Sequence, residues 1–154
     1  MADFVIDEWL WSDASGENGE VNRNEALRFL DTVYQKCDRF ITVKGSPFEQ
    51  KAFRLWEKRD VRSYRIAKFY KTHLWFNPAK SALVEPAALP NLPPTLLDGI
   101  KPDDRYLVEA YLTSGAAAIV TTDAPLRALL VRHGIRCELR EEFLNRYLRG
   151  NRPG

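Results

Sequence analysis

The sequence predicts an α/β fold, a central and mostly parallel sheet with helices on both faces, and three observations carry that reading. Short runs of β-branched, aromatic and small apolar residues alternate with longer segments whose apolar residues recur at helical spacing. Glycine or proline punctuates most of the junctions. Strands separated by helices rather than hairpin turns pair in parallel, and a parallel sheet needs cover on both faces.

Phe4-Val5-Ile6 opens the chain as a short buried strand ending at Asp7. Trp9, Leu10 and Trp11 form an aromatic cluster, followed by a polar Gly/Asn loop through Ser15–Gly19. Leu27, Leu30, Val33 and Cys37 then recur at helical spacing and predict a helix from about Asn24 to Lys36. Phe40–Val43 is a second strand, closed by Gly45. Ser46 reads as an N-cap, Pro47 as the first helical residue and Glu49 as the partner in a capping box; Phe48, Ala52, Leu55 and Trp56 lie on that helix. Val61 to Phe76 fits helix or strand equally. Five of the nine prolines fall between Pro86 and Pro102, which predicts a loop with at most one helical turn near Leu96–Leu97. A helix from Asp104 to Ser114 stops at Gly115. Ala118–Val120 is a buried strand, Leu126 to His133 a helix opened by Asp123-Ala124-Pro125, Ile135 to Leu139 a last strand, and Glu141 to Leu148 a closing helix ended by Gly150.

Length and charge bound the function. A chain of 154 residues with 45% apolar side chains builds one domain, expected over 1–150 with a tail at 151–154. The longest apolar run, Ala116 to Val120, is too short to span a bilayer, and Asp3, Asp7 and Glu8 interrupt any signal-like start. Cys37 and Cys137 are too few for a disulfide scaffold and read as core thiols of a cytoplasmic protein with no membrane partner. A net charge of +2 excludes a protein basic over its whole surface. Residues 1–25 nevertheless hold seven acids against one base, and residues 51–80 hold nine bases against two acids.

Acids fall at the ends of the strands, where open parallel sheets bind their ligands. Asp7 follows the first strand directly, and Asp123 follows Ala118–Val120 after Thr121-Thr122. Glu49 lies in the first turn of the helix after the second strand, and Asp104 in the first turn of the helix before the Asp123 strand. Helix capping accounts for each acid singly. Four carboxylates on one edge are another matter: they repel one another, and a hard divalent cation such as Mg²⁺ or Mn²⁺ removes the conflict.

These residues resemble the PIN-domain family. The carrying segment runs Pro102-Asp103-Asp104-Arg105-Tyr106 to Tyr111, then Gly115, then Ala118-Ile119-Val120-Thr121-Thr122-Asp123-Ala124-Pro125-Leu126. Phe4-Val5-Ile6-Asp7, Ser46-Pro47-Phe48-Glu49, Gly134-Ile135 and Glu142-Phe143-Leu144 are similar to other parts of that pattern, which covers about residues 3 to 148. The resemblance implies a three-layer α/β/α ribonuclease of the VapC-like kind, acting on RNA with Mg²⁺ or Mn²⁺ held by Asp7, Glu49, Asp104 and Asp123. It also implies that Thr121 orients the last acid or its water, and it leaves open an antitoxin protein as partner and a homodimer as assembly. Departures are Glu8-Trp9-Leu10 after Asp7, so that Glu8 competes as a ligand, and Asp103 beside Asp104. Asp104 is preferred for its spacing to Gly115 and Asp123. The segments Asp13–Glu20 and Val61–Leu97 are atypical. A phosphohydrolase reading fails because no second Asp stands two residues after Asp7. The alternative within the same architecture is a non-catalytic module binding RNA or a protein.

A second candidate surface is the stretch Arg62, Tyr64, Arg65, Lys68, Phe69, Tyr70, Lys71, His73 and Trp75, where cations interleave with rings. Arg62, Arg65, Lys68 and Lys71 are the candidates for phosphate contact, and rings suit stacking of single-stranded bases. The structural alternative buries the rings and leaves the cations in water.

Overall fold

The computed structural model describes residues 2–149. The expected tail at 151–154, and Gly150 as a helix stop, lie outside them. Five strands form one sheet in the order β3-β2-β1-β4-β5: β1 Asp3–Ile6, β2 Arg39–Val43, β3 Ser81–Val84, β4 Ala118–Thr121 and β5 Cys137–Leu139. Every pairing is parallel, so the expectation of a mostly parallel sheet is met in full among the described residues.

Alternation along the strands feeds two cores, one on each face. Phe4 and Ile6, Phe40 and Val120 point to the first; Val5, Ile41, Val43 and Ile119 point to the second. The first face is covered by α1 (Trp9–Ala14), α2 (Glu20–Gln35), α3 (Pro47–Glu57), α4 (Val61–Phe69) and α8 (Arg140–Arg149). The second is covered by α5 (Pro94–Leu97), α6 (Arg105–Ser114) and α7 (Ala124–Arg132). The helices thus form two outer layers around the sheet, as a both-faces-buried parallel sheet demands.

Several elements differ from the sequence expectation. Trp9, Leu10 and Trp11 open a helix, because three consecutive large apolar side chains at 5%, 0% and 1% exposure fit the core from a single tight turn. The next helix begins at Glu20, four residues before the expected Asn24. Gly19, at φ +92°, supplies its N-cap, and its polar first turn carries no apolar period to detect. The ambiguous Val61–Phe76 stretch is helical: Asp60 caps α4 through the amides of Arg62 and Ser63 at 3.0 and 3.1 Å, and a π-helical segment continues over Tyr70–Trp75. β3 was not anticipated, since an edge strand of four residues with half-exposed Leu83 has little apolar signature. The proline-rich segment holds the short α5 and two 3₁₀ turns, Pro86–Ala88 and Pro102–Asp104. Cys137 is buried as expected, but Cys37 is exposed at the end of α2 and is no core thiol.

Other expectations hold. Ser46 caps α3 by accepting from the Glu49 amide at 3.4 Å, and Gly115 ends α6 at φ +66°, where a side chain is disfavoured. No described helix is long and apolar enough to cross a membrane.

Candidate functional site

The parallel topology sets the carboxyl ends of β1, β2 and β4 on one edge of the sheet. α6 precedes β4 and runs back against it, so its N-terminus opens on that same edge. Asp7 continues the line of β1, its amide donating to the Val120 carbonyl at 3.0 Å. Its carboxylate is fixed at both oxygens: Oδ1 accepts from the Glu8 amide at 2.7 Å and Oδ2 from the Thr121 hydroxyl at 2.7 Å. Thr121 is fully buried at the end of β4, and its hydroxyl also accepts from the Asp123 amide at 3.2 Å. The hydroxyl orients the first acid, not the side chain of the last as the resemblance implied. Asp123 caps α7, Oδ1 accepting from the Leu126 amide at 3.0 Å.

Asp104 ends the 3₁₀ turn before α6 and makes no side-chain cap bond. Burial, with the charges of Asp7 and Asp123, pushes its carboxyl up to about 6. Burial likewise raises Asp7, against its two hydrogen bonds, and Asp123 adds to the rise. Glu8 is raised by burial and by Asp7, with Asp103 a further contribution. Asp7, Glu8, Asp104 and Asp123 therefore share one field. Asp103 is exposed and Asp104 half-buried, although the two are adjacent in sequence.

Glu49 is placed differently. It is 7% exposed; Oε1 accepts from the Gly45 amide at 3.1 Å, while Oε2 is buried without a hydrogen-bond partner. The capping box is shifted by one residue, since the side chain reaches Gly45 and not the cap residue Ser46 itself. Its charge registers at Tyr70, where it adds to the burial that raises that hydroxyl, and not among the leading influences on Asp7 or Asp104.

No family model matches the sequence, and no curated protein matches it. What the site can do is therefore read from its own chemistry. All the candidate ligands are hard carboxylate oxygens, the donor type that Mg²⁺ and Mn²⁺ take. As they stand, no group of three or more His, Cys, Asp or Glu side chains among the described residues is close enough to hold a metal ion. The fit to a cation is one of donor chemistry and unrelieved charge, with the orphaned Glu49 oxygen as a further open acceptor.

Two residues join the site that sequence reasoning did not select. Tyr106, on the first turn of α6, has a buried hydroxyl without a hydrogen-bond partner. Burial and the charges of Asp7, Glu8 and Asp104 raise it, so it keeps its proton. Lys51 of α3 offsets part of the rise at both Asp7 and Glu8, and its ammonium donates to the Ser12 hydroxyl of α1. Tyr106 stands two residues after Asp104, and Lys51 two after Glu49, so proximity to the acids was the available signal.

The basic stretch is placed elsewhere. Arg62 Nη1 donates to both carboxylate oxygens of Glu20, at 3.0 and 2.8 Å, and Lys71 lies 3.7 Å from the centroid of the Trp56 ring. Arg65 and Lys68 are exposed on α4. The cations that act on the acidic edge are instead Lys51, Arg54 and Lys101. Of the rings, Tyr70 is buried, Phe69 and Trp75 are half-buried, and Tyr64 is exposed.

Proposed function

We propose that this protein is a metal-dependent endoribonuclease of PIN-like architecture, hydrolysing RNA phosphodiester bonds at the edge formed by Asp7, Glu49, Asp104 and Asp123. The observation that supports this reading most is the shared field of Asp7, Asp104 and Asp123 at one edge of the sheet, which Lys51 and Lys101 offset only in part. A folded protein does not keep such repulsion for stability, since acids crowded together raise one another and cost folding free energy.

Asp7, Asp104, Asp123 and Glu49 are the residues to hold Mg²⁺ or Mn²⁺, which when bound activates a water and neutralises charge developing on a phosphoryl oxygen. Thr121 holds Asp7 in one orientation from β4, so that the ends of two adjacent strands move as one. The protonated Tyr106 hydroxyl is a hydrogen-bond donor without an acceptor beside the acids. Trp9 closes the floor by donating its indole N–H to the Val120 carbonyl at 3.0 Å.

The test is cleavage of a fluorescent single-stranded RNA with Mn²⁺. Asp7→Asn and Asp123→Asn are expected to abolish cleavage with the fold retained, and EDTA to abolish it in the parent protein. Full activity in either variant, or activity in EDTA, contradicts the reading. A second reading, a non-catalytic module of the same architecture, is favoured by one observation: Asp123 is engaged as a helix cap. Binding of RNA without cleavage under any divalent cation supports that second reading.

A further inference from the structure

Beside the acidic edge, α3 carries a row of cations that its own helix does not neutralise. Lys51 and Arg54 stand at i and i+3 on α3, and Lys58 is the C-cap residue that follows its last turn. Like charges at these spacings repel, so the row costs helix stability. It lines a cleft of about 130 Å³ between α3 and the α1 segment, with Trp11 and the Glu17 carboxylate also on its wall. Glu17 is the one acid there and faces Lys58 at 3.9 Å, while Arg54 is exposed. The Trp11 side chain is 1% exposed and its indole N–H has no hydrogen-bond acceptor. Three cations and an unsatisfied donor around one cleft describe a site for anionic oxygens.

The row also has a direction. Lys51 is bonded to Ser12 of α1, the helix that begins two residues after Asp7, and Lys58 ends the row about 10 Å further along the axis at 1.5 Å per residue. A stacked single strand carries a phosphate about every 3.4 Å, so the row spans roughly three phosphates.

We propose that Lys51 and Arg54 of α3, with Lys58 at its C-cap, form the track along which single-stranded RNA enters the carboxylate edge, with Lys51 on the phosphate nearest the reacting one. The proposal rests on the ribonuclease reading for its destination, but its test does not need cleavage. Binding of a fluorescein-labelled twelve-nucleotide oligouridine is measured by anisotropy in EDTA across a KCl series, for the parent protein, for Arg54→Gln/Lys58→Gln and for Arg65→Gln/Lys68→Gln. Loss of two phosphate contacts lowers the slope of log K against log[KCl] by about 1.4 and weakens binding roughly 20-fold near 0.1 M KCl. That result is expected for the α3 pair, with the α4 pair unchanged. Both pairs are on the surface, and circular dichroism confirms that each variant is folded.

No measurable RNA binding by the parent protein, an unchanged slope in the α3 pair, or the loss falling on the α4 pair each overturns the track. Labelled polyglutamate bound as tightly as RNA, with the same loss in the α3 pair, overturns the nucleic-acid assignment in favour of an acidic protein. If RNA is cleaved in Mn²⁺ while the α3 pair keeps parental KM and salt slope, the track fails and the ribonuclease reading stands. If the α3 pair loses binding but no cation supports cleavage, the track stands and the ribonuclease reading fails.

Discussion

Two groups of acids in this molecule are treated in opposite ways. Asp13 of α1 is 1% exposed and fully matched: Arg140 Nε lies 2.6 Å from Oδ2, and the Asn18 amide donates to Oδ1 at 2.7 Å. Arg140 also faces Glu25 at 3.5 Å and sits over the Trp9 ring at 5.4 Å, fastening α8 and α2 to α1. A few residues earlier in the chain, half-buried Asp7 shares its edge with Glu8, Asp104 and Asp123, with Lys51 as a partial counterweight. The first arrangement is what a fold needs. The second stores repulsion that a proton or a cation relieves, and the contrast distinguishes a structural acid from a candidate ligand more sharply than position in the sequence does.

The largest effect is expected from breaking the matched pair. Arg140→Met leaves Asp13 buried without its cation and is predicted to cost about 3–5 kcal/mol in urea denaturation, while Asp13→Asn/Arg140→Met recovers much of it. At the carboxylate edge the sign reverses. Asp104→Asn removes a repelled charge and is predicted to raise stability by about 0.5–2 kcal/mol at pH 7 while abolishing cleavage, the usual trade at a functional site. Thr121→Val deletes the hydrogen bond to Asp7 and leaves that oxygen without its donor, for a loss of about 1 kcal/mol.

The pH dependence sharpens the same contrast. Asp104 titrates from 3.8 in the unfolded chain to about 6 in the fold. Its proton is therefore held more tightly when folded, so its contribution is favourable at low pH and is lost as pH rises through about 6. The stability gap between Asp104→Asn and the parent is predicted to be widest above pH 6 and to close toward pH 4, measured by thermal unfolding at constant ionic strength. The smallest effect belongs to neither region: Cys37→Ser, at an exposed thiol, is predicted to change stability by less than about 0.5 kcal/mol.

Much of the scaffold was legible in the chain. β1, β2 and β4 are runs of residues that prefer pleated, buried backbone, and the caps Ser46, Asp123 and Gly115 announce their helices. α1 was hidden because three adjacent large apolar residues obscure any helical period in six residues, and β3 because an edge strand buries so little. At the site, strand ends and helix starts marked Asp7, Asp104 and Asp123, since a parallel sheet brings such positions to one edge. Tyr106 and Lys51 were not legible as site residues: a tyrosine in a helix and a lysine among many acquire their roles from what α6 and α3 set beside them. The same holds for Arg62, whose pairing with Glu20 joins residues 42 positions apart.

A titration of Mn²⁺ against melting temperature, for the parent protein and for Asp7→Asn, Asp104→Asn and Asp123→Asn, tests the central claim most directly. An ion that binds the folded chain at one site adds about 2.7 kcal/mol of stability at a hundred times its dissociation constant. The parent protein is predicted to show a saturable rise of that order, and each variant to lose most of it. No rise in the parent protein, or an equal rise in all four, contradicts the claim that these unmatched carboxylates are there to hold a metal.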